Sequence, residues 1–235
     1  MAKDFKPTFL PNSIPTVPKL RDYVHMGMVK TYPPKSRIEK PANYQEVLLF
    51  TLSGYIKTTM IREDGTETLF IYTPQFAVNT IWLHTYDHYM EHSLIMSVVK
   101  ETTVCFFSKE QIMAWMQQDW ELLEQMIQQY AANIDLHYYK TLINTPASAT
   151  KRMLQLLYNL CTIETPDENG WYRMPILLSQ RDLADTANIH YATANRIFRW
   201  LEKEKVVKKT RKQMIIYDFK RLEHLLKNYE EIIYY

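Results

Sequence analysis

The sequence predicts an α+β chain in three parts: an N-terminal β-roll over residues 1–109, a long helix over 110–145 and a winged helix-turn-helix over 146–235. Three features carry this reading. Short β-rich runs fill Glu46 to Ser108, a stretch free of Gly and Pro runs from about Trp120 to Ile143, and two short helical segments meet at Asn188 ahead of a basic hairpin. At 235 residues, 46% hydrophobic and 23% charged, the chain is long enough for one large or two modest cores.

In the first part, EVLLFTLSGYIKTTMIREDGTETLFIYTP reads as strands broken at Ser53-Gly54 and at Asp64-Gly65. The Asp-Gly pair supplies positive φ angles for a tight hairpin. HSLIMSVVKETTVCFF gives a further strand pair about Lys100-Glu101-Thr102. Strand after strand with short turns implies a roll or barrel.

The period then changes. Ser108, with Gln111 three residues on, has the form of a capping box opening IMAWMQQ. From about Trp120 to Ile143 a helix would run roughly 36 Å at about 1.5 Å per residue. Along it Leu123, Ile127, Tyr130, Ile134, His137 and Thr141 recur at spacings of three and four, the seam of a two-helix packing, and the expectation is a dimerisation helix. The competing reading packs the same face on the chain's own β-domain. Asn144-Thr145-Pro146 ends the helix at a hinge.

After the hinge, Met153, Leu156, Leu157 and Leu160 mark one side of an amphipathic segment from Ser148 to Ile163. Ser179 can N-cap a short helix with Asp182 in its first turn and Leu183, Ala184 and Ala187 inside. Asn188 tolerates left-handed geometry and can turn the chain into a second helix from about His190. Ala194, Ile197 and Leu201 would face the core, and Ala192, Asn195, Arg196, Arg199 and Lys203 the opposite side. Val206-Val207 and Met214 to Tyr217 then flank the basic tip Lys208-Lys209-Thr210-Arg211-Lys212. A small residue followed by Asn and Arg, with cations one and two turns later and a basic wing behind, suits a helix in a major groove. The charge balance agrees: residues 1–146 hold 13 Lys+Arg against 15 Asp+Glu, and 147–235 hold 15 against 11, a surplus of 15 − 11 = 4 cations.

Several chemistries are disfavoured. Four glycines leave no phosphate-cradling GxGxxG or P-loop. Cys105 and Cys161 are far apart and form no CxxC clip; Cys105, in an apolar run, reads as a buried small residue. His84, His88 and His92 are spaced by four, but on a strand the outer atoms of such a pair lie about 13 Å apart, too far for one ion. No metal site is expected. No window approaches about 18 apolar residues and the N-terminus lacks a signal-peptide core, so the cytoplasm is expected.

LSQRDLADTANIHYATANRIFRWLEKEKVV resembles the recognition motif of the CRP/FNR regulators, with Asn188 where a Gly normally stands and Arg196 matching the family's Arg. Leu52-Ser53-Gly54 and Asp64-Gly65 are similar to the family's turn and hairpin. The resemblance spans nearly the whole chain. It implies a homodimeric transcription regulator, not an enzyme, with a cyclic-nucleotide-binding-like β-roll sensor, and with DNA, a small effector and RNA polymerase as partners. The DNA-binding set it implies is Ser179, Gln180, Tyr191, Ala192, Asn195, Arg196, Arg199, Lys203, Lys209 and Arg211. The effector, bridging β-roll and dimer helix in the family, would meet Phe76, Trp82, His84, His88, Tyr130 and Asn133.

The sensor departs from the cyclic-nucleotide pattern. Pro74-Gln75-Phe76-Ala77-Val78-Asn79-Thr80 lacks both glycines and the Glu of the phosphate cassette, and His92-Ser93 replaces its Arg-Ser pair. Cyclic AMP is therefore not the expected effector. An N-terminal cysteine cluster for iron and sulfur is also missing from the sequence. Phe76, Trp82, His84, Tyr86, His88 and Tyr89 suit a planar, partly apolar ligand. Lys3-Asp4-Phe5, Lys19 to Tyr23 and Cys105 to Ser108 look closest to the halorespiration branch, which senses chlorinated phenols. In the branch reading TGTGA, a Glu and an Arg stand at the positions of Ala192 and Tyr191, so an AT-rich palindrome is expected here. The alternatives are a metal- or redox-responsive regulator with the same DNA-binding domain, and a β-barrel metalloenzyme fused to one.

Overall fold

The computed structural model describes residues 15–61, 65, 67–83, 94–142, 148–163, 165–173, 179–210 and 214–228, with the side chains of all but 136, 137, 139–142, 162 and 163. The described residues divide into two compact units, one up to residue 136 and the other from residue 137 on.

In the first unit a 3-10 helix, Pro18–Met26, precedes β1 (Met28–Tyr32), β2 (Arg37–Ile38), β3 (Val47–Ser53), β4 (Ile56–Ile61), β5 (Glu67–Thr73), β6 (Val78–Asn79), β7 (Leu94–Val98) and β8 (Thr102–Ser108). They form two four-stranded sheets, ordered β1-β8-β3-β6 and β2-β7-β4-β5. Helices α1 (Lys109–Gln118) and α2 (Trp120–Leu142) follow.

Alternation along β3 and β8 builds two cores from one sheet. Val47, Leu49, Val104 and Phe106 join Ile56, Trp82, Met96 and Val98 in one cluster. Leu48, Phe50, Cys105 and Phe107 join Leu20, Ile112, Leu122 and Met126 in the other, on the helical side. Phe50, Phe106 and Phe107 are fully buried, each worth about 1.5–3 kcal/mol of transfer free energy.

The strand pairing differs from the sequence expectation. β7 and β8 do not pair across Lys100-Glu101: β7 lies against β2 and β4, β8 against β1 and β3. The chain crosses between sheets there, and again after β3 at Gly54. Its φ of +85° and the closeness of Thr102 and the Glu101 carbonyl leave no room for a side chain. β4 and β5 do form a hairpin, but Ile61 pairs with Glu67, so five residues separate the strands instead of a two-residue turn.

The expected capping box is present: Gln111 N donates to Ser108 Oγ at 3.3 Å and Ser108 N to Gln111 Oε1 at 2.9 Å. Asp119 closes α1 and opens α2, its Oδ1 accepting from Leu122 N at 3.1 Å. Tyr23, stacked on Trp115, donates its hydroxyl to Asp119 Oδ2 at 2.7 Å, which ties the 3-10 helix to this junction.

In the second unit, α3 (Ala149–Ile163), β9 (Tyr172–Arg173), α4 (Gln180–Thr186), α5 (Tyr191–Lys203), β10 (Val207–Lys209), β11 (Met214–Ile216) and α6 (Phe219–Lys227) follow in order. The sheet runs β10-β11-β9, antiparallel throughout. β9 and α6 have no counterpart in the sequence reading. Phe219 of α6 stacks on Tyr158 of α3 with centroids 5.2 Å apart, and a ring contact with Tyr172 brings β9 to the same place.

Candidate DNA-binding surface and effector site

Ser179 caps α4 reciprocally: Asp182 N donates to Ser179 Oγ at 3.1 Å, and Ser179 N to Asp182 Oδ2 at 3.0 Å. Leu183, Ala184 and Ala187 are buried. The backbone then turns through Asn188 with φ +50°, and Ile189 N returns to Ala184 O at 3.0 Å. His190 N-caps α5, its Nδ1 accepting from Ala192 N at 3.3 Å.

Along α5, Ala194, Ile197, Phe198 and Leu201 are buried. Tyr191, Ala192, Arg196, Arg199 and Lys203 are exposed and Asn195 half-buried. One side of the helix is thus free and carries three cations. The wing strands β10 and β11 pair from Val207–Ile216 to Lys209–Met214. Lys209 Nζ donates to Gln180 Oε1 at 2.8 Å, which joins the wing to the start of α4. Arg211 lies outside the described residues.

In the first unit, the turn Pro74–Ala77 is closed by Ala77 N donating to Pro74 O at 3.1 Å, with Phe76 at φ +62°. That conformation is costly for a bulky residue. Its neighbours hold it: Phe76 N donates to Thr51 O at 2.7 Å, Val17 N to Phe76 O at 2.6 Å, and the Arg21 guanidinium sits 5.2 Å over the ring. Next along the chain, buried Asn79 donates to Thr58 Oγ1 at 3.2 Å and Thr73 Oγ1 at 3.3 Å. Burial pushes the Tyr130 phenol up, opposed by its hydrogen bond with Thr80. Asn133 Oδ1 and Thr51 Oγ1 are buried with no hydrogen-bond partner among the described residues.

Residues 151–225 match the family model of the Crp-like helix-turn-helix domain. This segment is a Crp-like helix-turn-helix domain. Over the whole chain the fold is similar to those of solved CprK and CooA structures. A cysteine-to-serine variant of CprK complexed with OCPA is 24% identical, with a TM-score of 0.74, over 94% of this chain and 100% of that one. Oxidized CprK in complex with o-chlorophenolacetic acid is 23% identical, TM-score 0.51, over 97% and 94%. A CooA double mutant from Carboxydothermus hydrogenoformans is 10% identical, TM-score 0.74, over 93% and 99%. No curated protein matches the chain.

In the Crp-like domain, Tyr191, Ala192, Asn195, Arg196, Arg199 and Lys203 share the accessible side of α5, and Ser179 and Gln180 start α4. Lys209 is exposed on the wing and donates to Gln180. Sequence reasoning passed over His190 as the cap, which its place one residue before the helix could have shown.

The effector set does not come together as one cluster. Phe76 and Tyr130 border the core on the helical side of the sheet, whereas Trp82 is buried between the sheets. His84 and His88, with Tyr86, Tyr89 and His92, lie outside the described residues. The seam on α2 also divides. Ile127 and Ile134 are 57% and 53% exposed and Leu123 is half-buried. Tyr130 instead packs on its own β-domain, because it lies about 60° around the helix from Ile127, toward Met126. Nothing is described for the side chains of His137 and Thr141.

Proposed function

We propose that this chain is a DNA-binding transcription regulator of the CRP/FNR type that acts as a homodimer on an AT-rich palindrome and responds to a small organic effector. The observation that carries it is the accessible side of α5. A helix seated by Ala194, Ile197, Phe198 and Leu201 leaves Tyr191, Ala192, Arg196, Arg199 and Lys203 free on a Crp-like domain. Residues near its N-terminus suit base edges and the later cations suit phosphates. Exposed Ile127 and Ile134 on α2 support pairing with a second copy.

For the effector, Asn133 Oδ1, without a partner among the described residues, stands one turn from Tyr130 on α2, and the Thr58–Thr73–Asn79 cluster lies inside the roll. These are neutral hydrogen-bonding groups beside apolar walls. Likeness to a CprK structure holding o-chlorophenolacetic acid supports an aromatic effector over cyclic AMP or an iron-sulfur cluster. RNA polymerase is the expected partner on the promoter, in the cytoplasm.

Two measurements test the reading. Selection from a random duplex library with purified protein should return an AT-rich palindrome; no enrichment over input would overturn DNA recognition. A thermal-shift screen of halogenated phenols and aromatic acids should raise the melting temperature with at least one compound. A panel with no shift would remove the aromatic effector and leave the DNA reading standing.

A further inference from the structure

The two helices of the helix-turn-helix meet at a turn whose carbonyls must all find donors. Backbone groups serve the earlier ones: Ala187 N donates to Leu183 O at 2.9 Å, Ile189 N to Ala184 O at 3.0 Å and Asn188 N to Asp185 O at 3.1 Å. The carbonyls of Ala187 and Asn188 come next, and no continuing helix supplies their donors, because left-handed Asn188 has turned the chain away.

Arg152, in the first turn of α3, supplies them. Its Nε donates to Ala187 O and its Nη2 to Asn188 O, both at 3.0 Å. A planar fork with two fixed donors spans two successive carbonyls, which a lysine ammonium cannot do with the same geometry. The cation also sits at the C-terminal end of α4, where the helix dipole favours it. Two residues beyond the clamped carbonyls, His190 begins α5. The turn that leads into α5 is therefore held by a side chain that lies on neither of the two motif helices.

We propose that Arg152 is a positioning residue for sequence recognition: its guanidinium seats the turn so that Ala192 and Arg196 meet base edges, and it touches no DNA itself. This rests on the DNA reading above. Base readout depends on hydrogen bonds with narrow geometry, whereas phosphate contacts tolerate small displacements, so a loosened turn should lower discrimination more than general affinity.

The test uses full-length protein, the palindrome selected by wild type and a scrambled duplex of equal length. Affinities are measured by fluorescence anisotropy over a salt series, with thermal melts in parallel. Arg152→Gln should lower the selected-to-scrambled affinity ratio at least tenfold, with scrambled binding and the slope of log affinity against log salt unchanged. Arg152→Lys, able to reach one carbonyl at a time, should restore part of the ratio. An unchanged ratio in folded Arg152→Gln overturns the proposal, even with a lower melting temperature. Equal losses on both duplexes with a salt slope smaller by about one would make Arg152 a phosphate contact and overturn it too. Should Arg152→Gln fail to fold, Arg152→Lys decides: a ratio lowered at least threefold supports positioning, and a wild-type ratio overturns it. Wild-type protein that does not discriminate the duplexes would overturn the DNA reading, and this inference with it.

Discussion

Gln129 and Val78 are paired through both backbone groups of the valine: Val78 N donates to Gln129 Oε1 at 3.0 Å, and Gln129 Nε2 donates to Val78 O at 2.7 Å. The glutamine is 1% exposed. Its amide thus acts as one more rung beside β6, a two-residue strand held on its other side by β3. The long helix and the edge of the β-roll are fastened at the residue before Asn79.

Gln129→Leu should keep most of the volume while leaving a buried N–H and C=O without partners. Each such group costs about 1–3 kcal/mol, so a loss of at least about 2 kcal/mol is expected in urea unfolding. Gln129→Glu should fall between the two. Its carboxylate accepts from Val78 N but cannot donate to Val78 O, so this variant should gain stability as the pH falls and the carboxyl protonates. A wild-type urea midpoint in Gln129→Leu would show that water replaces the amide at no cost.

The apolar stripe of α2 makes an assembly prediction. Ile134 is more than half exposed in the protomer, so Ile134→Asp should leave its fold intact. In a dimer the same substitution buries an unpaired carboxylate at the seam, which costs several kcal/mol. Light scattering should report a monomer that melts like the wild type and binds DNA weakly. A stable dimer would take Ile134 out of the interface.

Burial pushes the Cys105 thiol up to about 12 from an ordinary value of 9.0. The folded state then holds its proton where the unfolded state has lost it. Stability attached to this group is complete below pH 9 and declines as the pH rises from there toward 12, by up to about 1.4 kcal/mol per pH unit. Cys105→Ala should flatten that decline. With the thiol protonated and fully buried, a thiol reagent at neutral pH should modify Cys105 only on unfolding. Rapid native-state labelling would revive a redox role.

Local chemistry was legible and distant pairing was not. The boxes Ser108–Gln111 and Ser179–Asp182, the turn at Asn188 and the start of α2 at Trp120 depend on neighbours within a few residues. By contrast, β3 pairs with a strand some fifty residues later, and nothing local in HSLIMSVVKETTVCFF says that its halves belong to different sheets. The sequence reading passed over Gln129 and Arg152, because the partners described above are backbone groups, which leave no trace in side-chain pattern. Tyr130 fits a seam by spacing, yet a shift of about 60° around the helix turns it onto its own domain.

The identity of the half-site follows from what stands at the exposed start of α5. Ala192 offers a methyl, which packs on the thymine C5-methyl, and no acceptor for cytosine N4; Arg196 is free for a guanine edge, thymine O4 or phosphate. Wild type should therefore select AT-rich half-sites centred roughly 34 Å apart. Ala192→Glu should shift preference toward a C·G pair, with each wrong base costing about 1–3 kcal/mol. Lys209→Ala tests a different component. Its ammonium is held by Gln180 at the start of α4, and as a phosphate contact its loss should weaken all duplexes alike and lower the salt slope by about one. Parallel selections with the three proteins separate these effects. TGTGA half-sites from the wild type, or an unchanged preference in Ala192→Glu, would show that Ala192 does not face the bases.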